Sequence, residues 1–358
     1  MFKRILVPLD GSPRAERALP VAARIARASG GSVVLLQVVG LPFAYETYLS
    51  GLYLAQTPVF AQDILDTEFE RANQYLANVA QSEQFVGIKT ETEVFSGLAA
   101  PTIIDTASVE HVDLVVMCSH GNTGLKRWVL GSVAQKMARH SSAPILVLRE
   151  DGSAPTSSYP DPLHPLRTLM ALVALDGSEL AETALAPAAH LVAALVAPAH
   201  GTLLLTRVVK RPAIGSEQSY QKQLDSRVNE AEAYLSRVAN ELCEGPLGEL
   251  DLAVSSAVAV GGNVADTLIK VAEDGKTVNG GQMFCNCDLM VMATHGRGGI
   301  ERLAMGSVTE SVLGATKLPL LIVRPSVGAL SEARGAPFKS FAPQAAESEV
   351  VEREKVEG

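Results

Sequence analysis

The chain reads DLVVMCSHGNTGLKRWVLGSV at residues 113–133 and DLMVMATHGRGGIERLAMGSV at residues 288–308. In both stretches a short apolar run comes first, a glycine-containing loop follows, and a helix is predicted to start near the final Gly-Ser. Short apolar runs bounded by glycine are typical of buried strands. A strand that leads through such a loop into a helix favours a parallel α/β sheet.

The rest of the chain repeats in the same order, which predicts two copies of one domain. The matching segments share their apolar pattern, and the first pair also shares an Asp-Gly-Ser run. They are ILVPLDGSPRAERAL at 5–19 with MALVALDGSELAETAL at 170–185, VVLLQVV at 33–39 with LLLTRVV at 203–209, and PILVLR at 144–149 with PLLIVR at 319–324. We assign residues 1–149 to the first copy and residues 167–325 to the second.

Three segments fall outside the repeat. Residues 150–166 are rich in proline and serine and lack periodicity, which indicates a linker. The second copy carries an insertion around residues 275–286, just before its fourth strand. Residues 326–358 are polar and irregular, so we expect a disordered, solvated acidic tail.

Within each copy, aliphatic runs alternate with helical stretches, as is typical of βαβ units. The predicted fold class is α/β, with two tandem Rossmann-like domains that each contain a five-stranded parallel sheet flanked by helices. The runs lack polar alternation, which indicates that both faces of the sheet are covered. Residues 185–205 are apolar, but Pro187 and Pro198 interrupt them, so we interpret this segment as helix, turn and strand rather than a membrane span.

The composition of the 358 residues, 47% hydrophobic and 19% charged, is that of an ordinary globular protein and excludes collagen-like or coiled-coil chains. The net charge of −9 gives no general attraction to nucleic acid or anionic membranes, so neither is an expected partner. The 4 cysteines are too irregularly spaced for a disulfide framework, and the first residues contain no hydrophobic region of signal-peptide length. We therefore expect a cytoplasmic protein.

Candidate chemistry lies where the strands end, because ligands of open parallel sheets bind beyond the carboxyl ends of the strands. Strand one is predicted to end at Asp10 or Asp176, and strand four runs into the glycine loop. After the loops, Ser132 and Ser307 each stand three residues before Gln or Glu, which predicts capping boxes. Glycines and the N–H groups of a helix start would suit a phosphate chain. The alternative is that the loop only joins strand to helix and that Asp-Gly-Ser is an ordinary turn.

Both copies resemble the universal stress protein domain, whose nucleotide signature is Gly-x2-Gly-x9-Gly-Ser/Thr. The spacing occurs here from Cys118 to Ser132 and again from Ala293 to Ser307. The resemblance implies strand order 3-2-1-4-5 and bound ATP, with or without Mg²⁺. Adenine would lie against backbone after strand two, ribose near the strand-one aspartate, and phosphates at the glycines and the helix start. The implied residues are Pro8, Asp10, Val38, Met117, Gly121, Gly131, Ser132 and Val133 in the first copy, and Asp176, Val208, Met292, Ala293, Gly296, Gly306, Ser307, Val308 and Thr309 in the second.

Neither copy keeps the first glycine of this signature, since Cys118 and Ala293 stand there. A left-handed backbone at that position would cost any residue with a β-carbon about 1–2 kcal/mol. An extended backbone would instead accept alanine, and would accept cysteine unless its side chain faced the ligand. Because Ala293 is smaller than Cys118, and because Thr309 can offer a hydroxyl to phosphate, we expect the second site to bind more tightly.

Other polar residues give weaker hypotheses. His120 and His295 could act on phosphate, but such a histidine more often hydrogen-bonds its own loop. Cys285 and Cys287 lack further ligands for a metal. We expect no catalytic residue and no metal site. A nucleotide-binding stress or signalling protein with slow ATP hydrolysis is the leading hypothesis, a ligand-free interaction scaffold is the alternative, and an adenylating or phosphotransfer enzyme is a third.

The final strands predict how the copies assemble. Strand five would lie at a sheet edge in each copy, and an apolar edge is a template for pairing. We therefore expect an internal pseudo-dimer through residues 144–149 and 319–324. The first helix of the second copy is uncharged beyond its first turns, which suggests burial against another molecule and hence a homodimer of chains.

Overall fold

Each copy of the repeat folds as alternating strands and helices in the computed structural model, which describes residues 2–40, 58–119, 130–149, 168–211, 217–275, 286–295 and 305–325. The first copy comprises β1 (Arg4–Leu9), α1 (Ala18–Ser29), β2 (Ser32–Val39), α2 (Pro58–Ala80), β3 (Lys89–Ser96), α3 (Ala99–Val109), β4 (Leu114–Cys118), α4 (Ser132–His140) and β5 (Ile145–Leu148). The second comprises β6 (Met170–Ala174), α5 (Glu179–Glu182), α6 (Leu185–Val196), β7 (Thr202–Lys210), α7 (Glu217–Glu244), β8 (Ala253–Gly261), α8 (Val264–Asp274), β9 (Leu289–Ala293), α9 (Ser307–Ala315) and β10 (Leu320–Val323).

The strands form one sheet in the order β3-β2-β1-β4-β5-β10-β9-β6-β7-β8. Neighbours are parallel within each copy, so the expected order 3-2-1-4-5 is confirmed in both. The two copies meet at β5 and β10, which pair antiparallel with Leu321 opposite Leu146. The predicted pseudo-dimer through the last strands is therefore confirmed, and it joins two five-stranded sheets into one with 10 strands.

Helices cover both faces of this sheet, as the continuous apolar runs predict. One apolar layer contains Ile5 and Leu203 of the sheet with Leu76 of α2 and Leu235 of α7. The opposite layer contains Leu6 of β1, Met137 of α4 and Val312 of α9. Each layer draws residues from both copies, so the two domains share their hydrophobic core.

The uncharged helix α6 finds its partner inside the chain. It packs against α1 of the first copy, and Leu191, Val192 and Leu195 are fully buried. The inference that a second molecule covers this helix is therefore wrong, because the antiparallel pairing of β5 with β10 already brings α1 and α6 together. Homodimerisation of whole chains loses this support and stays a prediction.

One segment of the described residues, Glu179–Val196, is long and apolar enough to cross a membrane, but 56% of it is buried inside the fold. A buried core helix has the same composition, and this segment is α5 and α6. The interpretation of residues 185–205 as helix, turn and strand is thus confirmed by α6 and β7. The linker at 150–166, residues 276–285 of the insertion and the tail at 326–358 lie outside the described residues.

Candidate functional site

The Asp-Gly-Ser run forms the same turn after the first strand of each copy. In the first copy, Asp10 Oδ1 accepts hydrogen bonds from the Ser12 backbone N–H at 3.0 Å and the Ser12 hydroxyl at 2.5 Å. In the second, Asp176 Oδ1 accepts from Ser178 at 3.0 and 2.6 Å. The glycines between them have φ of 78° (Gly11) and 87°, which only glycine adopts without strain. The Asp-Gly-Ser run therefore does form a turn, as the alternative interpretation of the sequence predicts. Each turn fixes its aspartate at the carboxyl edge of the sheet.

The positions that replace the first signature glycine carry no backbone strain. Cys118 and Ala293 are the last residues of β4 and β9, and both pair with the neighbouring strand. Cys118 points its Sγ toward the Ala15 carbonyl, at 3.9 Å, and packs with the core on the α1 side. Extended backbone accepts alanine and cysteine alike. Of the two alternatives that the sequence leaves open, the structure supports the extended one.

The starts of α4 and α9 differ from the predicted capping boxes. Their N-cap residues are glycines, Gly131 with φ −61° and ψ 148° and Gly306 with φ −59° and ψ 143°, and no side chain caps either helix. The Gly131 N–H donates to Ser119 O, and the Gly306 N–H donates to Thr294 O, each at 2.8 Å. Because these bonds tie the glycine to the end of strand four, the serine that follows is already the first helical residue. The capping-box prediction for Ser132 and Ser307 is wrong.

This arrangement leaves the first-turn N–H groups of both helices without a side-chain cap from their own helix. Such groups, together with the positive end of the helix dipole, favour an anion. Ser132 and Ser307 are exposed, while Val133 and Val308 are half-buried. A β-carbon on Gly306 would lie only 3.0 Å from the Thr294 carbonyl, so close approach rather than a left-handed backbone explains the glycine.

Thr309 does not have the role expected of it. Its side chain is buried, and its hydroxyl donates to the Ala293 carbonyl at 2.9 Å. A hydroxyl has one proton to donate. The proton that a phosphate oxygen would need is already used to tie α9 to β9, so the Thr309 prediction is corrected.

His295 is buried, two residues after the end of β9. Its Nδ1 lies 2.8 Å from the Thr294 hydroxyl, as expected of a histidine that bonds within its own loop. Its Nε2 is also buried and has no hydrogen-bond partner among the described residues. A buried ring nitrogen with no partner among the described residues is a group that a bound ligand could satisfy.

The remaining expected residues lie along the same edge of the sheet. Register places Leu9 beside Gln37, so Pro8, Asp10 and Val38 fall close together, and β4 lies on the other side of β1. Met117 and Met292 are buried beneath that edge, while Val38 and Val208 are half-buried. Several candidates lie outside the described residues: Gly121, Gly296, His120 and Cys285.

A tyrosine contacts the segment that follows the Asp-Gly-Ser turn of the first copy, and the sequence did not predict this contact. Tyr75 on α2 donates its hydroxyl to Glu16 at 2.9 Å, and burial raises the tyrosine pKa. In the second copy Tyr234 stands in the same place, but Arg237 bonds the equivalent Glu182 at 3.1 Å. The repeated segments YLANVA at 75–80 and YLSRVA at 234–239 are the signal that marks this pair of tyrosines.

Metal-ligating groups do not cluster in the described part of the chain, where no three His, Cys, Asp or Glu side chains are placed to hold an ion. Cys287, one of the two cysteines at the insertion, is buried, and its backbone N–H donates to Ala272 O at 2.8 Å. This cysteine therefore packs as an apolar residue between α8 and β9.

Comparison with known proteins agrees with this geometry. A family model described as the universal stress protein family matches residues 1–149 and 170–324. A universal stress protein of Mycobacterium tuberculosis is 28% identical over 269 residues, which cover 72% of this chain and 78% of that protein. One from Methanocaldococcus jannaschii is 29% identical over 159 residues, or 43% of this chain and 98% of its own. The crystal structure of a universal stress protein from Archaeoglobus fulgidus aligns with a TM-score of 0.57 at 20% identity, covering 90% of this chain and 98% of that one.

Proposed function

Because the chain belongs to the universal stress protein family, we propose that it binds ATP or a related adenine nucleotide at two sites, one in each copy. The protein acts in a stress response as a regulatory or signalling component of the cytoplasm. Hydrolysis of ATP is slow, and the nucleotide serves as a ligand rather than as a substrate that is turned over.

The observation that carries this proposal is the pair of helix starts at the carboxyl edge of the sheet. Gly131 and Gly306 cap α4 and α9 with backbone alone, so the first-turn N–H groups point to the edge without a side chain of their own helix on them. Backbone N–H groups at a helix start bind phosphate well. Their occurrence in both copies, each beside a strand-one aspartate held in a turn, favours a ligand over a simple connection.

The parts of the nucleotide would be held by different elements. Adenine lies against the backbone after β2 and β7, near Val38 and Val208. Ribose lies near Asp10 or Asp176, which their turns hold at the carboxyl edge of the sheet. Phosphates lie on α4 and α9 at Ser132 and Ser307. Any Mg²⁺ would be held through the phosphates, which supply the oxygen ligands that this ion prefers.

The direct test is mass spectrometry of small molecules released from the purified protein by denaturation. We expect ATP or another adenine nucleotide, either as purified or after soaking in millimolar ATP. Absence of nucleotide in both samples would support a ligand-free interaction scaffold instead. Steady release of ADP or pyrophosphate that depends on an added acceptor would indicate an adenylating or phosphotransfer enzyme.

A further inference from the structure

An ion pair joins the first copy to the candidate phosphate site of the second. Arg139, in the last turn of α4, bonds through its guanidinium to the carboxylate of Glu310. Glu310 lies in the first turn of α9, and its backbone N–H donates to Gly306 O at 2.9 Å. The residue Glu310 therefore lies within one helical turn of the N–H groups proposed to hold phosphate.

Two further arginines tie together the helices that carry this pair. The Arg324 guanidinium donates to the Arg139 carbonyl at 2.7 Å, and the Arg149 guanidinium donates to the Leu313 carbonyl. Arg149 and Arg324 directly follow the paired strands β5 and β10. The end of α4 and the body of α9 are thus tied across the junction between the copies.

The pair has no counterpart in the other half of the repeat. The residue equivalent to Glu310 in the first copy is Gln135, and the residue equivalent to Arg139 in the second copy is Gly314. The second copy has a carboxylate, Glu310, in the first turn of α9, and the first copy supplies the arginine that bonds it. The start of α4 in the first copy has no equivalent carboxylate, because Gln135 stands there.

A carboxylate so near a helix start opposes a bound phosphate, since like charges repel. We propose that Arg139 is a positioning residue for the second nucleotide site: it holds the Glu310 carboxylate away from the phosphates and neutralises its charge. This inference rests on the proposed function. It makes the first copy a part of the second site.

The test is calorimetric titration of ATP and of adenosine into the full chain with the first site blocked by Ser132→Asp. On that background we compare Arg139→Gln, Glu310→Gln and the double variant. Arg139→Gln should weaken ATP binding by about fivefold and leave adenosine unchanged, because adenosine has no phosphates. Glu310→Gln should bind ATP at least as well as the parent, and in its presence Arg139→Gln should have no further effect.

Two controls sharpen the result. Lys136→Gln makes the same charge change at an exposed position of α4 and should leave ATP binding within twofold. Gln135→Glu, tested with the second site blocked by Ser307→Asp, places an unpartnered carboxylate at the first site and should weaken ATP there about fivefold.

The outcomes separate the two proposals. If the parent chain binds ATP but Arg139→Gln does not weaken it, the positioning role is refuted while nucleotide binding stands. If Arg139→Gln still weakens ATP binding in the Glu310→Gln chain, the positioning role is also refuted, because the arginine would then act on phosphate directly. If the wild-type chain binds no adenine nucleotide, the proposed function fails and this inference fails with it.

Discussion

The outer strands of the two copies differ far more than the inner ones. β3 carries Lys89, Glu91 and Glu93, and Arg4 at the start of β1 bonds Glu91 at 2.8 Å. At the equivalent positions β8 has Ala253, Ser255 and Ala257, and Met170 replaces Arg4. Both edges nevertheless have the same strand order and register. The fold is thus specified by the aliphatic runs and the Asp-Gly-Ser turns that both copies share, while charge at the edge is free to diverge.

The largest effect should come from the junction, where the copies are equivalent. Leu146 and Leu321 face each other across β5 and β10 and are fully buried. Replacing either by alanine should lower the free energy of unfolding by about 2–5 kcal/mol, because each change leaves a cavity in a shared core. Chemical denaturation of Leu146→Ala and Leu321→Ala checks this. A large loss of stability for one variant and a negligible loss for the other would show that the two copies do not contribute equally to the junction.

The tyrosine positions should separate the copies by a smaller amount. Tyr75→Phe removes the hydrogen bond to the Glu16 carboxylate and should lower the free energy of unfolding by about 1.5–3 kcal/mol. Tyr234→Phe should cost less, because Arg237 already bonds the equivalent carboxylate, Glu182, at 3.1 Å. Thermal unfolding of the two matched variants measures the difference. Equal losses would show that the two contacts are alike in solution.

The smallest effect should be pH-dependent and confined to the first copy. The hydrogen bond from Arg4 lowers the pKa of Glu91 to about 2, below its unfolded value of 4.5. The stabilisation from Glu91 is therefore complete above the unfolded pKa and is lost as the pH falls through about 2. Glu91→Gln should reduce stability at pH 7 by less than about 1 kcal/mol, since the pair is partly exposed.

The second copy supplies the control for this pH dependence. Ser255 stands at the position of Glu91, so Ser255→Ala should give a stability difference that does not change with pH. Denaturation curves at pH 7 and near pH 2 test both variants. A Glu91→Gln difference that stayed constant over this range would contradict the lowered pKa.

The sequence was sufficient to predict the parts of the fold that leave a local or repeated pattern in it. Continuous aliphatic runs predicted the strands, and their repetition predicted two copies. The apolar edges at residues 144–149 and 319–324 predicted the pairing of β5 with β10, because an unpaired apolar edge needs a partner.

Features that depend on a distant partner could not be predicted in this way. Ser132 and Ser307 match a capping pattern, but bonds from Gly131 and Gly306 to the end of strand four move the cap by one residue. The partner of α6 is a helix more than a hundred residues away in the sequence. The Thr309 hydroxyl is used by a carbonyl on β9, a contact that sequence spacing does not reveal.

The most direct test of the account is the stoichiometry of ATP binding, measured by calorimetry on the wild-type chain and on Ser132→Asp, Ser307→Asp and the double variant. Aspartate at these exposed first helical positions favours the helix dipole, so the fold is retained while phosphate is repelled. Ser132→Asn and Ser307→Asn are neutral controls of the same size. We predict two ATP per wild-type chain, one in each single aspartate variant and none in the double variant. No binding by the wild-type chain, or binding that the aspartates leave unchanged, would contradict the account.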